Sequence, residues 1–183
     1  MNKIILIRHV TPVVSDIPCS YLEAKQRLVE YNNTEKLNFA EINLLGVNQD
    51  NLDTDTIYSS SLIRAIKTAD YLFPKKKIIT TDKLVEFNLD IFPIPILNLS
   101  FKNWLFVSRV LWLIGINKSQ KNLRQEKQRV ANFIHENINK DCTIVAHGFV
   151  LNEIQSYLIK NGFNITIAKK QGCFSITILE RKT

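Results

Sequence analysis

The chain has 183 residues, 45% of them hydrophobic and 22% charged, with a formal net charge of +7. Those proportions place it among ordinary soluble globular proteins and give it enough apolar material for one packed domain spanning 1–183. The positive charge favours an anionic partner but does not choose between a phosphorylated small molecule, a nucleic acid and an acidic membrane surface.

Apolar runs of strand length alternate with longer segments of helical period, a pattern that predicts an α/β fold with a mostly parallel sheet. "KIILI", residues 3–7, is the first strand and runs directly into Arg8 and His9. "SYLEAKQRLVEY", residues 20–31, reads as a helix with Ser20 and Glu23 at capping-box spacing, and Asn38 and Glu41 repeat that start signal before "INLLGVNQDNL". "DTIYSS", residues 55–60, is a short strand. The helix that follows carries Leu62, Ala65, Ala69 and Leu72 on one face and stops before Pro74.

"KKIITT", residues 76–81, gives another strand. Residues 92–115 are strongly apolar, but Pro93 and Pro95 break the start while Lys102 and Arg109 interrupt the rest, so no uninterrupted membrane-spanning stretch of roughly 20 residues exists. We read residues 90–118 as a loop and a helical cap. The alternative is an interfacial membrane helix with Trp104, Leu105, Leu111 and Trp112 on its apolar side. Residues 123–138 form a helix, 141–147 ("DCTIVAH") a buried strand, 149–160 a helix and 172–180 a closing strand.

Cys19, Cys142 and Cys173 are odd in number and widely spaced, which predicts free thiols in a reducing cytoplasm rather than disulfides or a zinc site. The short apolar run cut off by Arg8 does not read as a signal peptide. Lys75, Lys76, Lys77 and the cations between Lys118 and Arg129 have no interleaved aromatic residues, so they read as solvated faces rather than a nucleic-acid platform.

The chemistry-bearing residues sit at strand ends. Arg8 and His9 follow the first strand, Ser59 to Arg64 the second, and His147 follows "CTIVA". In an open parallel sheet the carboxyl ends of the strands share one edge, where crevices bind ligands, so two histidines and two arginines can meet there. A buried guanidinium beside His9 calls for an anion. His135, in a polar helical stretch, reads as a surface residue.

"LIRHVTP", "IYSSSLIRAIKTA", "LVEFNLD" and "TIVAHGFVLNEI", in that order, resemble the histidine phosphatase superfamily, the phosphoglycerate mutase-like proteins. That resemblance implies a three-layer α/β/α sandwich and a metal-independent phosphomonoesterase with no cofactor, acting on a phosphorylated small molecule. It also implies roles: His9 becomes phosphorylated, Arg8 and Arg64 bind phosphate, His147 assists, and Glu86 is the general acid, with Asp82 or Asp90 as substitutes. The Thr11 hydroxyl either binds phosphate too or has a turn-forming, structural role. Gly46 and Gln49 match a further helix of the family. Val10 stands where the family has glycine, in the Arg-His-x-Thr-Pro form of bacterial members, and the usual Trp-Glu-Gly after the acid is replaced by "LDIFPIP". These departures also fit a phosphate-binding or regulatory member with impaired catalysis.

Overall fold

The computed structural model of the chain describes residues 2–46, 52, 54–87, 89–117, 122–138 and 140–181. Gln49 lies outside the described residues, as does most of the segment between Gly46 and Thr54. A six-stranded sheet forms the centre: β1 (Asn2–Arg8), β2 (Thr56–Ser60), β3 (Ile78–Thr81), β4 (Cys142–Ala146), β5 (Asn164–Gln171) and β6 (Phe174–Arg181), in the spatial order β3-β2-β4-β1-β6-β5. The pairs β3–β2, β2–β4 and β4–β1 are parallel, while β6 runs antiparallel to both β1 and β5.

Helices cover both faces, as an α/β sandwich requires. They are α1 (Tyr21–Asn33), α2 (Ala40–Leu44), α3 (Ile63–Leu72), α4 (Phe101–Leu113), α5 (Leu123–Asn137) and α6 (Gly148–Lys160). The period-two alternation of β1 sorts its side chains. Ile4 and Leu6 join Ile144, Phe133 of α5 and Ile154 of α6 in one core, whereas Ile5 and Ile7 join Val145 and the Ala65, Ala69 and Leu72 stripe of α3 in the other. β4 is buried along its whole length, which explains why its sequence is a continuous apolar run.

Two start signals read from the sequence have different fates. Ser20 caps α1 through a complete capping box with Glu23. Asn38 and Glu41 do not cap α2, whose start has no side-chain cap. Glu41 is instead buried, accepting hydrogen bonds from the Thr11 backbone N–H and hydroxyl and from the Phe174 N–H at 3.1 Å. One carboxylate thereby ties the loop after β1 to the β5–β6 turn. In that turn Gly172 has a φ of +60°, and a Cβ there would lie 2.2 Å from Glu41 Oε1.

The apolar segment resolves into a loop and α4. Trp104 and Trp112, expected on the membrane-facing side of an interfacial helix, are buried at 0% and 5% exposure. Trp104 donates from Nε1 to the Cys19 carbonyl at 2.8 Å and packs with Ala24 and Ile91 in a third core patch beneath α1 and α4. The aromatic face therefore packs inward, which corrects the interfacial reading of those tryptophans. No helix among the described residues is long and apolar enough to cross a membrane. β5, which the sequence reading left unassigned, is exposed at every position. The three cysteines are free, and burial pushes the Cys142 thiol up to about 12.

Replacing Glu41 by Ala leaves two backbone N–H groups and a hydroxyl without their acceptor, and each such loss costs roughly 1–3 kcal/mol. We expect Glu41→Ala to destabilise the fold by about 2–4 kcal/mol in urea denaturation. A loss under about 0.5 kcal/mol would show that water replaces the carboxylate there.

Candidate active site

The parallel strands β1, β2 and β4 end side by side. Arg8 pairs with Ala146 in register, and the His9 N–H donates to the Ala146 carbonyl at 3.1 Å, so His9 and His147 emerge as neighbours. Their ring centroids lie 4.9 Å apart. Arg64, second residue of α3, arrives from the other side of β4 and donates from Nε to His9 Nε2 at 3.3 Å. Residues more than 130 positions apart thus share one edge of the sheet.

A backbone hydrogen bond assigns the His9 proton. His9 Nδ1 donates to the Val10 carbonyl at 2.7 Å, which leaves the lone pair on Nε2, the nitrogen facing Arg64. Val10, in place of the expected glycine, is itself buried, and its N–H donates to Thr68 of α3. For His147, Nε2 lies 2.8 Å from the Ser60 hydroxyl, which already accepts the Leu62 N–H. The serine hydroxyl still has a proton to give; in the tautomer where His147 Nε2 accepts it, the imidazole proton sits on Nδ1.

Both imidazoles are almost inaccessible, at 1% exposure each. Burial, and after it the charge of Arg64, hold His9 well below the ordinary histidine range. Burial, then His9 and Arg64, do the same to His147. For both rings desolvation is the larger cause. Burial likewise pulls Arg64 below its ordinary value, and its guanidinium sits over the Tyr31 ring at 4.7 Å while Nη1 donates to Asn32 Oδ1 at 3.0 Å. Among the described residues no carboxylate forms an ion pair with Arg8 or Arg64. Arg8 Nε and His147 Nδ1 are buried polar atoms without a hydrogen-bond partner. Donors left open in this way, beside two unneutralised guanidiniums, fit the oxygens of an anion.

Arg8, His9, Arg64 and Glu86 line a cavity of about 560 Å³, together with the first residues of α6, Gly148 and Phe149. Glu86 lies on the loop after β3 and accepts the Phe149 N–H at 3.4 Å and the Phe87 N–H at 2.9 Å. Asp82 and Asp90 are exposed and do not line the cavity, so Glu86 is the carboxylate that faces the histidines' pocket. Two arginines brace its loop: Arg129 donates to the Lys83 and Val85 carbonyls at 2.6 and 2.7 Å, and Arg109 donates from both terminal nitrogens to the Phe87 carbonyl at 3.1 and 3.2 Å.

Thr11 is not brought to the pocket. Its hydroxyl donates to Glu41 and accepts the Cys173 N–H at 3.1 Å, which corrects its expected phosphate contact to a structural tie. His135 is exposed, as expected. The sequence reading missed Asn32, Tyr31 and Arg109; only Arg109 left a signal, as one of two cations inside an apolar run.

Comparison with known proteins agrees with this geometry. The sequence model of the histidine phosphatase superfamily (branch 1) matches residues 39–183. The fold is similar to a mycobacterial glucosyl-3-phosphoglycerate phosphatase (16% identity over 87% of this chain and 80% of that one, TM-score 0.56). It is also similar to YhfR of Bacillus stearothermophilus (15% identity, 87% and 81%, TM-score 0.55) and to the alpha-ribazole phosphatase of Shigella flexneri (18% identity, 86% and 79%, TM-score 0.53). No curated protein sequence matches.

The buried imidazoles set a pH dependence. In the unfolded chain each takes up a proton near its ordinary value of about 6.5, but in the folded protein only well below it, so the unfolded state binds more protons in that window and stability is lost as the pH is lowered. We expect the free protein to lose up to about 1.4 kcal/mol per pH unit per buried histidine as pH drops below 6.5. His147→Asn should reduce that slope in urea titrations between pH 6.5 and 5; an unchanged slope would show that the ring is already protonated in the folded state.

Proposed function

The chain belongs to the histidine phosphatase superfamily, a phosphoric monoester hydrolase by that membership, and we propose that it works without a metal through a phosphohistidine at His9. The observation that carries the reading is the open, buried Arg8 Nε donor and the unpartnered His147 Nδ1, set beside an imidazole that burial keeps neutral. In transfer, phosphoryl charge spreads over the equatorial oxygens, so catalysis is mainly positioning and electrostatic stabilisation. Arg8 and Arg64 give permanently charged, forked donors for those oxygens, and His147 adds one more. Arg64 Nε, now 3.3 Å from His9 Nε2, is within reach of any oxygen carried on that nitrogen.

In the first step the Nε2 lone pair of His9 forms a bond to phosphorus as the P–O ester bond breaks, and protonated Glu86 gives its proton to the departing alkoxide. In the second, water attacks phosphorus, the P–N bond returns its electrons to Nε2, and Glu86 takes the water's proton. The Phe149 N–H, at the start of α6, and the braced loop hold the carboxyl in place between the two turns. The substrate class at this level is a phosphorylated small molecule. Val10 in the glycine position favours no loss of function, since its carbonyl still receives the His9 proton.

Turnover of p-nitrophenyl phosphate in excess chelator tests the reading. We expect wild-type activity, a fall of at least about a thousandfold in His9→Ala, and an acid-labile phosphoenzyme on rapid quench. Undiminished turnover in His9→Ala would reject the mechanism. Phosphate-dependent thermal stabilisation with no phosphoenzyme would instead favour a binding or regulatory member.

Glu86→Gln should lower kcat by roughly 10²–10⁴ for an alkyl phosphate. The loss should be much smaller for the p-nitrophenyl ester, whose leaving group needs little protonation. Equal losses for the two esters would remove Glu86 from the acid's role.

A further inference from the structure

We propose that the alcohol released by this chain is apolar, the substrate being a phosphomonoester of a lipophilic alcohol whose hydrocarbon lies between α1 and α4. The proposal rests on the hydrolase reading above and names its substrate class. Away from the cationic floor, the cavity is walled by Leu28 of α1 and by Leu105, Phe106, Val110 and Leu113 of α4. Those α4 positions recur at helical spacing, so a single face of the helix turns toward the space. A cavity of about 560 Å³ is within the range of small-molecule sites and leaves most of its room beyond the phosphate end.

The polar side chains along that wall are largely engaged. Asn32 accepts from Arg64 through Oδ1, and Arg109 turns both terminal nitrogens to the Phe87 carbonyl. Among the described lining residues, the Asn32 amide nitrogen, the Tyr31 hydroxyl and Asn152 are the polar groups left above the floor. A sugar or polyol would bring several hydroxyls to this wall and leave most of them without a partner, whereas methylene groups gain from burial there. The wall also continues outward. Phe106, Val110 and Leu113 are 68%, 40% and 45% exposed, forming an apolar lip along which a chain longer than the cavity can run.

The test is a homologous series of methyl, butyl and octyl phosphate beside glycerol 1-phosphate, with kcat/KM as the readout. Each buried methylene contributes on the order of threefold, so we expect octyl over methyl phosphate by at least about 30-fold, with glycerol 1-phosphate no better than methyl. Phe106→Ser and Val110→Asn, at largely exposed positions, should collapse the octyl-to-methyl ratio to below about fivefold.

Octyl phosphate is supplied as free monomer and hexadecyl phosphate in phosphatidylcholine vesicles. Preference for either over methyl phosphate upholds the class, the free ester indicating a soluble source and the vesicle-held ester a membrane one. Preference for neither, faster turnover of glycerol 1-phosphate, or a ratio unmoved by both variants overturns the proposal while leaving the hydrolase reading intact. Turnover of none of the esters would defeat the hydrolase reading itself.

Discussion

Two guanidinium groups held at the carboxyl edge of a parallel sheet with no carboxylate to neutralise them are the constraint around which this molecule is arranged. Arg64 is 3% exposed, and its direct contacts are an amide oxygen, an aromatic face and a neutral imidazole, with the Glu86 carboxylate across the same cavity rather than paired to it. Removing a charge from water without a counter-ion costs several kcal/mol, so a fold keeps such an arrangement only with compensation elsewhere. The two apolar cores on either side of β1 and β4 provide it, and they also fix the positions of the strand ends to which the charges are attached. An arriving phosphate would relieve the frustration that folding leaves behind.

Neutrality of the two histidines follows from the same burial. A protonated imidazole beside Arg8 and Arg64 would add a third positive charge to a water-poor space, and desolvation alone already disfavours it. The proton that does remain on His9 is held by a backbone carbonyl, which orients the ring without any carboxylate. Ser60 plays the matching part for His147. Orientation by neutral groups keeps negative charge away from the spot that an anion must occupy.

Much of this was legible in the sequence, because the relevant physics is local. Four consecutive aliphatics, residues 4–7, encode a strand buried on both faces, and a polar pair at its end has nowhere to go but the sheet edge. His147 is readable by the same logic. Other features depend on partners distant in the chain. Asn38 and Glu41 have capping spacing, but Glu41 finds better donors in Thr11 and Phe174, and that preference is invisible until the β5–β6 turn is folded over it. The choice between the two roles of Thr11 depends on the same turn. The β5 strand escaped notice because neither of its faces is buried, so "NITIAKKQ" carries no inside–outside contrast. The segment 92–115 announced its apolarity but not its direction; tertiary packing sends the tryptophans inward and leaves Phe106 and Leu113 facing out.

The sheet has two open borders, and they are guarded differently. β3 is only four residues long, offering little to a stray strand. β5 is twice that length and fully exposed, yet it carries an irregularity between Ile165 and Ile167 and two adjacent lysines, Lys169 and Lys170. A kinked, positively charged margin repels a second copy of itself and spoils the flat hydrogen-bonding register that lateral stacking needs. The outer strand of the hairpin can therefore face water while β6, its partner, is held in the core.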